Sequence, residues 1–517
     1  MALGKRFYSW RAWLVWSGHG WCNVATLFLI LAVLLFVFIG LPVLSHYNWG
    51  RRHARAAQRP ISEYDMWLDE VAANRSSVGQ PLVPAVLPVD PDSPRGLTWT
   101  SVEGKQWRLV FSDEFEKDGR TFGPGEDPTW EAVDLWYWAT RDKQWYDPHH
   151  ATTAGGNLVI TLDRNESHPG LPFTSSMLQS WNKRCFQGGY LEVRVSLPGD
   201  GRKSGYWPAV WTLGNLGRAG YGATTDGLWP YTYNSCDEGV LRNQTNSALS
   251  TLPGQRLNAC VCKGDHPSPG VGRGAPEIDI FEGSAVSGLL SLSMSSQVAP
   301  FDYHYAINKD KYTYIWNEVA GGAPDRANST RYNSYIGGTF QQSVSSLFYV
   351  DPIYGQGRRF MTYGFEYRPG PRGYIRWFAD QKPVWHVDAR AVGANKLSKV
   401  AQRVIAEEPM YMIMNLGISE GFSYVDPGLE FPAKMYVDYV RLYQDPDNIR
   451  LSCDPPDRPT GKYIQSHPRA YYNANHTIWK QTGYSWPSFK LGSKCRPSTP
   501  SPFDDDAYAP MPNAQAG

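Results

Sequence analysis

The sequence carries almost no net charge, +1 over 517 residues, and this removes the electrostatic case for nucleic acid as a partner. It has no Gly-rich phosphate loop of the Walker type and no G-x-S-x-G elbow, so nucleotide hydrolysis, hydride transfer and serine esterase chemistry lose support. No repeat of fixed period is present, which argues against solenoids and propellers. Long helical patterns are absent between residues 99 and 445. Only one long apolar run exists, so a synthase crossing the membrane many times is excluded.

That run, Val24 to Leu44, is 21 residues without a charge and is long enough to span a bilayer as a helix. A cleaved signal peptide has a shorter apolar core with a small-residue site close behind it. The one such pattern, Ala54-Arg55-Ala56, lies well past the run among arginines, which favours a retained anchor. Lys5, Arg6 and Arg11 precede the run, and Arg51, Arg52, Arg55 and Arg59 follow it. Charge alone therefore leans weakly against exporting the C-terminal part. Six of the seven cysteines and five N-x-Ser/Thr sequons, at Asn74, Asn165, Asn243, Asn328 and Asn475, lie beyond it, as expected of a lumenal or extracellular domain. Cys22, at the membrane edge, reads as an inert thiol in preference to a palmitoylation site.

Residues 1–23 then form a cytoplasmic tail, 24–44 the transmembrane helix and 45–98 a Pro-rich stem, with a short helix expected over 60–73 against the main body. From 99 to 445 the text is short apolar or alternating runs cut by Gly, Pro, Asn and Asp, among them "GNLVITL", "GGYLEVRVSLPG", "GYIRWFADQ" and "YMIMNLGIS". Such spacing predicts an all-β antiparallel sandwich or jelly roll. Residues 446–496 read as a Cys-bounded cap stapled by Cys453 and Cys495, and 497–517 as a disordered tail.

The densest chemistry lies in "APEIDIFEGSA", residues 275–285, which sets Glu277, Asp279 and Glu282 in a strand-like stretch with Ile278, Ile280 and Phe281. Strict alternation puts Glu277 and Asp279 on one face and Glu282 on the other. One β-bulge resets the alternation and brings all three together. Glu277 and Glu282 then lie about four strand rises apart, roughly 13 Å between Cα atoms, and inward-leaning side chains close about half of that. This approaches the roughly 5 to 5.5 Å between the carboxyl groups of a retaining glycosidase. One carboxylate must be ionised to attack the anomeric carbon, while another stays protonated to release the leaving oxygen. Crowded like charges and burial raise the acid's pKa, and Asp279 is placed to orient the nucleophile. The bland alternative is a solvated acidic edge strand, against which the flanking Ile and Phe residues argue.

Aromatic residues make up 14% of the chain, with 21 Trp and 31 Tyr, which suits sugar stacking and an aromatic β core equally. Trp207 and Trp211 are four apart and share a strand face; with Trp181 and Trp229 they are either cleft platforms or core. Cys236, Cys260, Cys262 and His266 supply four zinc-type ligands, but an oxidising lumen favours disulfides. Cys260 and Cys262 are too close to pair with each other, so one is expected to pair with Cys236 and the other with Cys185, among fifteen possible connectivities.

The segments "LVFSDEF", "GGYLEVRVSLPG", "WPAVW", "EIDIFE" and "MYVDYVRLYQ" resemble, in order, glycoside hydrolase family 16, in the subgroup with Glu-x-Asp-x-x-Glu. About two thirds of the chain is covered. Within it, "GLWPYTYNSCDEGVLRNQT", "CVCKGDHPSPGVGRGAPEIDIFEG" and "SCDPPDRPTGKYIQSHPRAYYNANHTIW" are similar to the fungal β-glucan synthesis-associated membrane proteins. The resemblance implies a β-jelly roll whose concave face binds β-glucan, with Glu277 as nucleophile, Asp279 as its support and Glu282 as acid/base. It implies a single-pass type II protein of the secretory pathway or plasma membrane, acting in cell-wall β-1,6-glucan synthesis as a glycosidase, a transglycosidase or a non-catalytic glucan-binding scaffold. No cofactor is expected, and no ligand set is legible for the calcium common in related jelly rolls. One departure from ordinary family 16 hydrolases is a long Cys-containing insertion between Trp229 and Glu277, placed to roof part of the cleft.

Overall fold

The computed structural model describes residues 65, 66, 69, 88–243, 250–319, 326–489 and 491. The transmembrane run 24–44, the cytoplasmic tail, most of the stem, Asn74, Cys495 and the tail 497–517 lie outside the described residues. Among the described residues no helix is long and apolar enough to cross a membrane.

Strands dominate, and their alternation explains the layering. In Leu289–Val298, Leu290, Leu292 and Met294 point into the core while Ser291, Ser293 and Ser295 take the other face. Among the described residues the strands form a ten-stranded and a nine-stranded sheet, with a three-stranded and a two-stranded sheet beside them. The ten-stranded sheet runs Thr98–Thr100, Gln106–Asp113, Ala433–Gln444, Gly189–Ser196, Met361–Arg368, Tyr374–Ala379, Lys382–Asp388 and Thr313–Ile315, with two strands off this path. The nine-stranded sheet carries the acids, and we label seven of its strands in chain order: β1 (Met177–Gln179), β2 (Tyr206–Gly214), β3 (Glu277–Val286), β4 (Leu289–Val298), β5 (Ser329–Tyr332), β6 (Gln342–Val350) and β7 (Met410–Ile418). Its spatial order is β5-β6-β4-β3-β2-β7-β1, followed by Glu131–Ala132. Ile278, Ile280, Phe281, Leu292, Met294, Phe348, Met412 and Met414 pack with Val193, Phe365, Trp377 and Leu442 of the other sheet. Each such side chain contributes about 1.5–3 kcal/mol when fully buried, so this shared layer is the main cohesion of the sandwich. The expected all-β sandwich is what the chain forms.

A second core sits on the acid-bearing side. Leu216, Ala223, Leu228 and Leu257 of the insertion between β2 and β3 pack with Tyr463, Ile464, Tyr471 and Trp479 of the C-terminal segment, and both pack against Trp211 and Leu213. The insertion's Arg256 lies 3.5 Å from the centre of the Trp479 ring. Arg273 and Glu408, both buried, form a two-pronged ion pair at 2.6 and 2.7 Å, and Arg273 also donates to Ser268 Oγ and the Pro459 carbonyl. Insertion, the approach to β7 and the C-terminal segment meet in that one knot.

The disulfides correct two expected pairings. Cys185 is bonded to Cys453, 268 residues away, and to neither Cys260 nor Cys262. Cys453 therefore does not staple the C-terminal segment to Cys495; it ties that segment to a strand of the acid-bearing sheet, Cys185–Phe186. Cys236 pairs with Cys260, as one of the expected options had it, and Cys262 is also disulfide-bonded. These bonds consume the thiols that a zinc site needs. Asp65, Met66 and Asp69 are helical, and Asp65 accepts from Asn473 Nδ2 at 3.0 Å and pairs with His476 at 3.0 Å, so Asp65 is held on the C-terminal segment.

Candidate active site

The register around β3 answers the spacing problem. Glu277 lies opposite Leu213 and Asp279 opposite Trp211, yet Glu282 lies opposite Ala209, so β3 spends one extra residue between Asp279 and Glu282. The other neighbour agrees, with Glu277, Asp279 and Glu282 facing Gln297, Ser295 and Ser293 of β4. Residues 213, 211 and 209 share a face, as do 297, 295 and 293, so the bulge sets the three acids on one face. A bulge leaves backbone groups outside the ladder, and here the Asp279 carbonyl accepts from Trp377 Nε1 at 2.7 Å. Trp377 belongs to the opposite sheet, is fully buried and stacks on Trp385 at 4.7 Å. The two-sheet core thus holds the irregularity in place.

Each acid has its own donor. Trp229 Nε1 donates to Glu277 Oε2 at 2.6 Å, and Trp207 Nε1 to Glu282 Oε1 at 3.1 Å. Asp279, 1% exposed, accepts from Ser295 Oγ at 2.6 Å and Gln297 Nε2 at 3.2 Å. The insertion delivers Trp229: residues 227–231 run beside 274–276, with Ala275 N–H bonded to the Leu228 carbonyl at 2.9 Å. Gly274 permits the approach, since a Cβ there would sit 2.0 Å from the Tyr231 carbonyl oxygen. Glu277 follows three residues later.

Burial raises all three carboxyls. Glu277 is pushed well above its ordinary value by burial, then by the charges of Asp279 and Glu282, with the Trp229 bond opposing. Burial pushes Asp279 up to about 6 against the pull of Ser295 and Gln297. Glu282 is pushed up to about 8 by burial and then by Asp279, with Trp207 opposing. The trio therefore titrates as a unit and retains a proton near neutral pH. The shorter donor bond belongs to Glu277, where it works against the rise, and Glu282 keeps its proton up to higher pH than Asp279.

The sequence leaves four tryptophans as platforms or core, and the structure divides them. Trp207 and Trp229 are half-buried and donate to the acids; Trp207 also stacks on Phe422 at 4.3 Å. Trp211 lies opposite Asp279 on β2 and donates to Asn415 Oδ1 at 2.8 Å. Trp181 is a core residue, 7% exposed, stacked on Tyr471 at 5.7 Å with Arg218 4.3 Å from its ring centre. It is unavailable as a sugar platform.

Sequence reasoning passed over a polar chain beside the trio. Asn415 Nδ2 donates to Tyr146 OH at 3.1 Å, and the neighbouring Asp142 accepts from Thr140 Oγ1 at 2.6 Å. Burial pushes Asp142 up to about 7. Tyr137, half-buried near the acids, has its phenol raised by burial and then by the Glu277 charge. These residues are scattered between positions 137 and 415, and only the pairing of β2 with β7 brings Asn415 level with Glu282, through Ala209. Asn165, Asn243, Asn328 and Asn475 are exposed. Among the described residues no group of three His, Cys, Asp or Glu side chains is arranged to hold a metal ion.

A family model described as "Beta-glucan synthesis-associated protein SKN1/KRE6/Sbg1" matches residues 5–495. The chain is 42% identical over 493 residues to the β-glucan synthesis-associated protein KRE6 of Saccharomyces cerevisiae, covering 93% of this chain and 65% of that protein. It is 45% identical over 412 residues to the β-glucan synthesis-associated protein SKN1 of Candida albicans, covering 78% of this chain and 54% of that one. The chain thus spans less than two thirds of the length of these relatives. Among solved structures, the laminarinase catalytic domain of Thermotoga maritima aligns over 66% of this chain and 98% of its own, at 18% identity and a TM-score of 0.39.

Proposed function

The chain belongs to the β-glucan synthesis-associated SKN1/KRE6/Sbg1 family, and on that premise we propose that it is a glucan-active retaining glycosidase or transglycosidase serving cell-wall β-1,6-glucan assembly. The observation that carries the reading is the bulge that brings Glu277, Asp279 and Glu282 onto one face with a separate donor for each. Glu277 attacks the anomeric carbon as Glu282 protonates the departing glycosidic oxygen, giving a glycosyl ester on Glu277. Glu282, now a carboxylate, takes a proton from water or from another sugar's hydroxyl, and that oxygen displaces Glu277. Water gives hydrolysis; a sugar gives a longer or branched chain. In the same proposal, residues 24–44 anchor the protein as a single-pass type II membrane protein of the secretory pathway or plasma membrane, with the sandwich lumenal or extracellular.

Incubation of the protein with defined β-1,3 and β-1,6 glucan oligosaccharides, read by mass, tests the reading. Longer products indicate transfer and shorter ones alone hydrolysis. Tight binding with no product overturns the enzymatic reading in favour of a glucan-binding scaffold.

Two kinetic expectations follow from the electrostatics. The rate falls as pH rises through about 8, because deprotonated Glu282 has no proton to give. Asp279→Asn moves this alkaline limb to lower pH by removing the charge that raises Glu282, and an unmoved limb would sink the assignment of Glu282 as acid. Trp229→Phe deletes the donor that favours ionised Glu277, so the acid limb of kcat/KM moves up by about one to two pH units. A limb that stays in place would mean the bond does not stabilise the reacting anion.

A further inference from the structure

The acid-bearing face continues past the trio on the β4 side as cross-strand rows. One row runs Asp279, Ser295, Ser345, and the next runs Glu277, Gln297, Ser343. Ser295 and Gln297 spend hydrogen bonds on Asp279, yet Gln297 Oε1 and Ser345 Oγ have no partner although the residues are only 6% and 7% exposed. Buried polar atoms without partners cost free energy, and such groups on a ligand-binding face mark where a ligand's own hydroxyls belong.

Where these rows end, residues 333–341 join β5 to β6 and carry their ladder on along the edge of β6. Asn333 N–H bonds the Ser345 carbonyl at 3.1 Å, and Ser343 N–H bonds the Ile336 carbonyl at 2.9 Å. The loop is tied down from outside, through Tyr305 OH to the Gly338 carbonyl at 2.6 Å and Thr251 Oγ1 of the insertion to the Thr339 carbonyl at 3.1 Å. On this fixed loop Tyr335 is 50% exposed, its hydroxyl accepting from Gln341 Nε2 at 3.1 Å. Its phenol is raised by partial burial and then by the Glu282 charge. The path from β3 across β4 to β6 is two strand spacings, about 10 Å.

We propose that Tyr335 is the stacking platform of a glucan subsite about two sugar rings from the cleavage point on the β4–β6 side, with Gln297 and Ser345 as its polar floor. The occupant is a β-glucan chain lying across the strands. An aromatic ring takes the flat apolar face of a pyranose while the floor takes its hydroxyls, a division of labour that a lone exposed tyrosine outside the cleft would not need. The subsite rests on the proposed glucan-active site and deepens it by fixing where the bound chain must run.

The test uses the full chain carrying Glu277→Gln, so that binding is read without turnover, and titrates β-1,3 and β-1,6 glucan oligosaccharides of increasing length. Affinity is expected to rise once a ligand is long enough to reach Tyr335. Adding Tyr335→Ala removes that rise, an expected loss of about tenfold for the longer ligands with the shorter ones unchanged. Tyr335→Phe keeps the ring and retains the gain, which a merely structural role for the hydroxyl would not predict. Equal loss at every length, or none, overturns the subsite while leaving the trio's role standing. Absence of binding by every oligosaccharide overturns the subsite and the glucan reading together.

Discussion

Glu277→Gln is expected to abolish turnover, by on the order of 10³-fold or more, while making the protein more stable. The two effects have one origin. An amide has nearly the shape of the carboxylate but cannot form the glycosyl ester, so the step that Glu282 assists has no nucleophile to complete it. The same substitution removes one of three crowded carboxyls whose ionisation burial and neighbouring charge oppose. The sign follows from linkage: Glu277 keeps its proton in the folded chain to a higher pH than in the unfolded chain. The unfolded chain releases it from 4.5 upward, so wild-type stability declines as pH rises from there through neutrality, and this part of the decline is missing in the variant. Thermal unfolding at pH 5 and pH 7.5 checks it. The variant should gain on wild type at the higher pH, and a variant that loses ground would show that the site is not strained by its charges. Activity and stability are opposed here because the face that does chemistry is held together against its own repulsion.

Breaking the Arg273–Glu408 pair carries the largest expected stability effect. Arg273→Met leaves Glu408, 5% exposed at its side chain, as a buried acid without its partner, at a cost of about 3–5 kcal/mol. The Ser268 hydroxyl and the Pro459 carbonyl also lose their donor. Arg273 and Glu408 together replaced by Met should recover most of the loss, because the uncompensated charge is then gone. Denaturant unfolding of the two variants separates the cases, and equal destabilisation by both would mean that packing and not charge dominates. The knot also seats the insertion that brings Trp229 to Glu277, so the single variant should lose activity with its fold.

Much of the site was legible because a period-two rule is unforgiving. Three acids at positions 277, 279 and 282 beside Ile278, Ile280 and Phe281 make sense only with an extra residue, and the register contains one. The alternation in "LSLSMSSQ" likewise separates a core face from a hydroxyl-bearing one. What escaped was whatever depends on partners distant in sequence. Nothing local says that Trp377 of the opposite sheet satisfies the bulge, or that Tyr471 and Arg218 occupy Trp181. The insertion and the C-terminal segment each have too few apolar residues to suggest a core, and build one only together. Tyr335 had a faint signal, one of two aromatic residues with Phe340 in the short Gly-containing stretch "NSYIGGTF", but composition alone does not separate a platform from an ordinary turn.

The pairing of Cys185 with Cys453 bears on the order in which the molecule can be made. A chain emerging from the ribosome exposes Cys185 some 268 residues before its partner, whereas Cys236 and Cys260 emerge only 24 apart. Until Cys453 follows, Cys185 has no native partner, while Cys236, Cys260 and Cys262 have already been made. Correct assembly therefore requires that the early thiol be held back or that a premature bond be exchanged. The bridge records that synthesis has passed residue 453, by which point all seven labelled strands of the acid-bearing sheet, the last ending at Ile418, have been made.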